Sequence, residues 1–151
     1  MNRYFGLFLL LFFILTGCSN IDATFREMNE EERFIWDTQI QCFEEYCPLG
    51  DPHMLPPPLM YYTRDPFCGG NAAGCVFLDK GVGRAVVYIH EDYAYRNEGQ
   101  YPDTVPGILN TELFMHEYLH IISGFCTGDG SHENGWFNDS PCPQDLWREW
   151  E

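Results

Sequence analysis

Residues 115–120 read MHEYLH, which sets His116 and His120 four apart with Glu117 directly after the first histidine. On an α-helix, residues four apart share a face with their β-carbons about 6 Å apart. Imidazole nitrogens bind a divalent ion such as zinc at about 2.0–2.1 Å, so both rings can reach one ion. Glu117 is rotated away by one position. Its carboxylate would stand beside the ion and take a proton from a bound water without filling a coordination site. That is the chemistry of metal-assisted hydrolysis. The competing reading is a buried helix whose histidines hydrogen-bond to backbone or carboxylates.

The flanking residues predict a helix over Ile108–Ser123, with Pro106 and Gly107 before it and Gly124 as a stop signal after it. At about 100° per residue, Ile108, Phe114, Met115, Tyr118, Leu119, Ile121 and Ile122 spread around most of the circumference. The helix is therefore expected to be central and buried. Its polar side chains gather instead: Glu112, His116, Glu117, His120 and Ser123 fall within an arc of about 140°. An unsatisfied buried polar group costs about 1–3 kcal/mol and an unpaired charge more. A cation would satisfy this arc.

HEYLH resembles the HExxH motif of the zincin metallopeptidases and matches it in full. The likeness covers five residues and their helical setting. It implies that His116 and His120 ligate zinc and that Glu117 is general base to a zinc-bound water in peptide-bond hydrolysis. Two longer patterns are missing: Cys126 stands where metzincins carry a further histidine, and no long downstream helix offers the ligating glutamate of the larger gluzincins. The third ligand is then expected from Gly124–Trp136, GFCTGDGSHENGW. His132 is the choice, because Gly128 and Gly130 free the backbone to fold back over the helix and imidazole is a common third ligand. Asp129 and Glu133 are its rivals. Small HExxH lipoproteins with a GD…H segment after the motif are similar in layout.

Such a site needs a scaffold. Asn29–Cys47 predicts a packing helix, with Asn29 and Glu32 spaced as a capping box and Trp36, Ile40, Phe43 and Cys47 on one stripe. Pro48 ends it, and Pro48–Pro58 reads as an extended or turning connector in which His53 is a surface residue. Leu59–Thr63 is a short strand candidate. Cys68–Cys75 is a glycine-rich loop, and Val76–His90 reads as a hairpin whose second run, Arg84–His90, is the better strand. In zincins an edge strand lies over the motif helix and pairs with extended substrate; Arg84–His90 is expected in that role, against the plainer reading of an internal hairpin strand. Glu91–Gly107 is acidic and irregular. Tyr93, Tyr95 and His90 are candidate oxyanion helpers with nothing to select among them. The closing PQDLWREWE predicts one or two helical turns.

The first residues read differently. Arg3 followed by the apolar run Leu7–Leu15 forms an export signal over Met1–Gly17, too short to span a bilayer. LTGC, Leu15–Cys18, resembles the lipobox of bacterial lipoproteins, which implies cleavage after Gly17 and a lipid on Cys18. Ser19 after the lipidated residue goes with outer-membrane sorting in Gram-negative members. The expected organisation is a signal over 1–17, a lipid-anchored tether over 18–28 and one domain over 29–151, placed in the bacterial cell envelope outside the cytoplasm.

Removing Cys18 from seven cysteines leaves six, Cys42, Cys47, Cys68, Cys75, Cys126 and Cys142. In an exported chain these read as up to three disulfides. Local pairs are favoured, Cys68 with Cys75 and Cys126 with Cys142, leaving Cys42 and Cys47. Without Arg3, seven Lys plus Arg stand against 23 Asp plus Glu, a formal −16. That surface repels nucleic acid and anionic lipid, so the membrane link falls to the lipid.

Together these features predict an α+β, minimal zincin-like domain: a backing helix, a small sheet, the HExxH helix and a disulfide-clamped ligand loop. The expected activity is zinc-dependent hydrolysis of a peptide or protein substrate by a lipid-anchored exported protein. The alternatives are a non-catalytic zinc-binding lipoprotein and a metal-free, disulfide-stapled interaction module.

Overall fold

The computed structural model describes residues 25–65, 68–70, 72–79, 81, 83–95 and 109–142. The expected export signal, the Cys18 lipidation site and the closing helical turns lie outside these residues. What is described is an α+β arrangement of three helices and a three-stranded mixed sheet.

Helix α1, Glu30–Phe43, begins with the expected capping box: Asn29 accepts from the Glu32 N–H and Glu32 accepts from the Asn29 N–H, both at 2.8 Å. Its buried face carries Ile35, Trp36, Gln39, Ile40 and Phe43. A 3₁₀ turn, Glu44–Tyr46, leads into the proline-rich connector, which contains a second such turn at Pro52–Met54. Asp51 caps that turn, and His53 is exposed as expected.

Strands β1 (Leu59–Thr63), β2 (Gly74–Asp79) and β3 (Arg84–His90) form the sheet in the order β1-β3-β2. β3 runs parallel to β1, with Met60 opposite Val87, and antiparallel to β2, with Val76 opposite Val87. The hairpin is as expected, but the role given to Arg84–His90 is not: β3 is the central strand and β2 lies at the edge. The physical reason is visible in β3 itself. Val86, Val87, Tyr88 and Ile89 are consecutive and all buried, the pattern of a strand covered on both faces. Val87 and Ile89 join Met60 in the core beneath the helices, while Val86 and Tyr88 join Leu59, Phe25, Tyr61 and Phe77 in a second cluster on the opposite face.

The last residues ahead of the expected domain, Phe25–Met28, pack on it. Arg26 pairs in a bridge with Met60 on the outer side of β1, and its guanidinium grips the buried Glu32 carboxylate at 2.6 and 2.8 Å. One sheet edge is thereby covered. Among the described residues no strand pairs with the outer side of β2.

The irregular stretch expected after β3 begins with one helical turn, α2 (Glu91–Ala94), capped by His90. Helix α3, Thr111–Thr127, carries the motif and starts and ends later than the expected Ile108–Ser123. Asn110 caps it, and Gly124 stays helical instead of stopping it. The stop is Gly128, at φ 80°, whose N–H bonds the Gly124 carbonyl. α3 is central as expected: Phe114, Met115, Tyr118, Leu119 and Ile122 are buried, with Trp36 of α1 edge-on to Tyr118 at 5.4 Å.

Three disulfides close the structure: Cys42–Cys142, Cys47–Cys126 and Cys68–Cys75. The short pair is the expected one. The expected Cys126–Cys142 bridge is replaced by two long ones, because both cysteines lie against the carboxyl end of α1, where Cys42 and Cys47 meet them. The segment between Cys126 and Cys142 is still held at both ends, but to the backing helix and not to itself.

Candidate metal centre

The motif helix presents one face to a cleft of about 900 Å³. Along that face lie His116, Glu117, His120, Ile121 and Phe125, and the facing wall is β2 from Gly74 to Leu78 with the Cys68–Cys75 loop. Leu55 of the connector closes one side.

His132 arrives from the loop after α3, whose shape is set by its own polar residues. The Asp129 carboxylate accepts from the Ser131 N–H at 2.9 Å, an Asx turn. Asn134 donates to Thr127 Oγ1 at 2.8 Å and to the Asp129 carbonyl, then caps the 3₁₀ turn Gly135–Phe137 by accepting from the Trp136 N–H. Trp136 stacks on Phe43 of α1 at 4.8 Å, fastening the loop to the backing helix.

The three histidines meet. His116 Nε2 and His132 Nε2 are 2.9 Å apart, and one ligand atom from each of His116, His120 and His132 lies within 4.8 Å of the others. His120 Nδ1 is 2.5 Å from the Gly130 carbonyl. A carbonyl only accepts, so Nδ1 carries the hydrogen and Nε2 keeps its lone pair, the second-sphere arrangement that orients metal-ligating histidines. Burial, then the neighbouring His120 and His132, hold the His116 imidazole below its ordinary pKa. Burial also lowers His120, outweighing the Gly130 hydrogen bond that favours its charged form, with His132 adding to the depression. Neutral rings are what a cation requires.

The residues therefore fit a metal ion. Two nitrogens on one tetrahedral ion with bonds of 2.0–2.1 Å stand about 3.3 Å apart, within the range these rings span. The sequence-derived choice of His132 is the one brought to the cluster. Asp129 is fully exposed and turned to Ser131, which holds its carboxyl below the usual range, and Glu133 is exposed.

Glu117 is 3% exposed, and its Oε2 finds no hydrogen-bond partner. Burial pushes its pKa up to about 7. Of the other polar residues in the expected arc, Glu112 is exposed and Ser123 is buried with an unpartnered hydroxyl. His90, Tyr93 and Tyr95 are not among the described residues lining the cleft.

Two residues of the site, Phe137 and Gly74, escape a reading of the sequence, and Gly130, expected to free the loop backbone, proves also to be needed for space. Phe137 packs against all three imidazoles, at 5.3, 4.5 and 5.1 Å from His116, His120 and His132. Gly130 passes so close to the His120 carbonyl that a Cβ there would overlap it. Gly74 lies directly against Glu117. The aromatic pair after the histidine loop was the signal for Phe137; nothing local announces Gly74.

Comparison with known proteins finds no matching family model, no matching curated protein and no matching solved structure.

Proposed function

We propose that this chain is a zinc-dependent peptide hydrolase of zincin type, acting outside the cytoplasm and anchored by lipid at Cys18. One observation carries the reading: three imidazoles converge beside a buried, unpartnered carboxylate in a cleft walled by β2, an edge with which no described strand pairs on its outer side. His116, His120 and His132 would hold the ion and leave a fourth position open. Zinc, when bound, supplies Lewis acidity toward a water and a carbonyl oxygen. Glu117 accepts the proton of the attacking water on its carboxylate and passes it to the departing amine. Phe137 packs against all three imidazoles and would limit their movement. The outer side of β2, with which no strand pairs among the described residues, takes the place of β3 as the edge on which an extended peptide would align by backbone hydrogen bonds.

Placement outside the cytoplasm draws on the three disulfides, which persist in oxidising compartments. No described helix is long and apolar enough to cross a membrane.

The test is zinc stoichiometry of the purified chain together with cleavage of a mixed peptide library read by mass spectrometry, for the native protein and for Glu117→Gln. The expected result is one zinc per chain in both and cleavage in the native chain alone. Zinc without cleavage in either form would leave a metal-binding lipoprotein, and absence of zinc after zinc loading would overturn the proposal.

A further inference from the structure

The Glu117 carboxylate has nothing to aim it by hydrogen bonding at Oε2, yet a proton acceptor must point in one direction to work. Confinement supplies that direction, and one wall is Gly74, the first residue of β2. A Cβ built on Gly74 would stand 2.7 Å from Glu117 Oε1 and 2.9 Å from Cδ, closer than real Cβ atoms approach, and a tight 3.0 Å from Cγ. Gly74 is not one of the positive-φ glycines, which among the described residues are Gly69, Gly70, Gly83 and Gly128. Its backbone conformation is open to any residue, so the demand for glycine is one of space and not of torsion.

The strand cannot easily retreat to make room. Gly74 pairs with Ile89 of the central strand, the preceding Ala73 carbonyl accepts from the His90 N–H at 2.8 Å, and the following Cys75 is tied to Cys68. The group free to yield is the far end of the Glu117 side chain, which turns about its own bonds.

We infer that Gly74 is a positioning residue that fixes where the Glu117 carboxylate points into the cleft. This rests on the hydrolase reading for its consequence in catalysis, but the contact itself does not. A methyl at position 74 swings the carboxylate away while leaving the three imidazoles, on α3 and its following loop, where they are.

Full-length native, Gly74→Ala, Glu117→Asp and Gly74→Ala/Glu117→Asp chains test it, with crystal structures, zinc content, melting temperature, kcat and KM as readouts. In Gly74→Ala the carboxylate is expected to move with zinc content unchanged. Its kcat is expected to fall about 10²-fold, as for a group misplaced by about an ångström, with KM held within about twofold. Aspartate is one methylene shorter and clears the new methyl, so adding Gly74→Ala to Glu117→Asp should cost under about threefold, a coupling that independent sites do not show. Should Gly74→Ala fail to fold, folding of the double variant supports the contact and its failure too overturns it. An unmoved carboxylate with native kcat, or an equal penalty in both backgrounds, also overturns it. If the zinc-loaded native chain cleaves nothing, the hydrolase reading fails and the crystal structures alone decide the role of Gly74.

Discussion

His120 Nδ1 lies 2.5 Å from the Gly130 carbonyl oxygen and donates its hydrogen to it, so one loop carbonyl sets the tautomer of a residue on the neighbouring helix. The same loop then delivers His132 two residues later. Orientation of one candidate ligand and supply of another are thus a single structural event.

Gly130→Ala should break that event. The added Cβ would meet backbone, the His120 carbonyl, which cannot turn aside as a side chain can. Metal affinity, measured by competition with a chromophoric chelator, is expected to fall at least as much as for loss of an outer-sphere partner, about 10–100-fold. Native affinity in this variant would show that the loop does not organise the site.

His132→Ala is expected to weaken metal binding by more than about 100-fold, since a ligand and not its support is lost. Asp129→Asn, at a fully exposed residue engaged with Ser131, should leave affinity within about threefold, as surface changes away from such features do. Isothermal titration of the two variants with zinc separates them, and the reverse order would move the third ligand to Asp129.

The bridges tie the ligand loop to α1. Replacing Cys42 and Cys142 together by serine should cost about 2–5 kcal/mol of stability, because a loop of this length leaves the unfolded chain much freer. Denaturant melts of the metal-free protein give the stability, and chelator competition should show weaker zinc binding in the same variant. Unchanged zinc affinity would mean that Trp136 on Phe43 is anchor enough.

Glu32 gives the acid limb. Burial alone would raise its carboxyl, but hydrogen bonds from Arg26, Tyr62 and the Asn29 N–H outweigh that and hold it below the usual range. The folded protein binds this proton less readily than the unfolded chain. The stabilisation is therefore full above the ordinary carboxylate range and is lost as pH falls through the depressed folded value. Glu32→Gln should cost about 2 kcal/mol at neutral pH, discounted because Arg26 is partly exposed, and should flatten the fall of Tm below pH 5. A Tm profile parallel to the native one would remove Glu32 as the source.

The legibility of these features follows their range along the chain. The histidine pair, the glutamate and the α1 cap depend on residues within four positions, and 3.6-residue periodicity displays them. The central place of β3 was also written in its unbroken run from Ala85 to Ile89, a pattern that fits burial on both faces better than an edge. Gly124 misled because a helical glycine costs only about 1 kcal/mol, less than the packing of the further turn that ends at Gly128. The short Cys68–Cys75 pair was legible, but the pairing of the other four cysteines was out of reach, since which of those sulfurs meet depends on α1 lying along α3. Gly74 was equally hidden: its necessity comes from Glu117, 43 positions later in the chain.

Both long bridges join one short stretch, Cys42 to Cys47, to mates 100 and 79 residues further on. A polypeptide emerging amino end first therefore shows two thiols well before their proper mates, and Cys68 and Cys75 pass by in the interval. Early oxidation meets wrong choices first, so thiol exchange, which takes seconds to hours according to the isomerase at hand, is the step expected to pace maturation. On the proposed reading, capture of an ion by the three imidazoles would come last in that order, since His132 travels between the two late sulfurs.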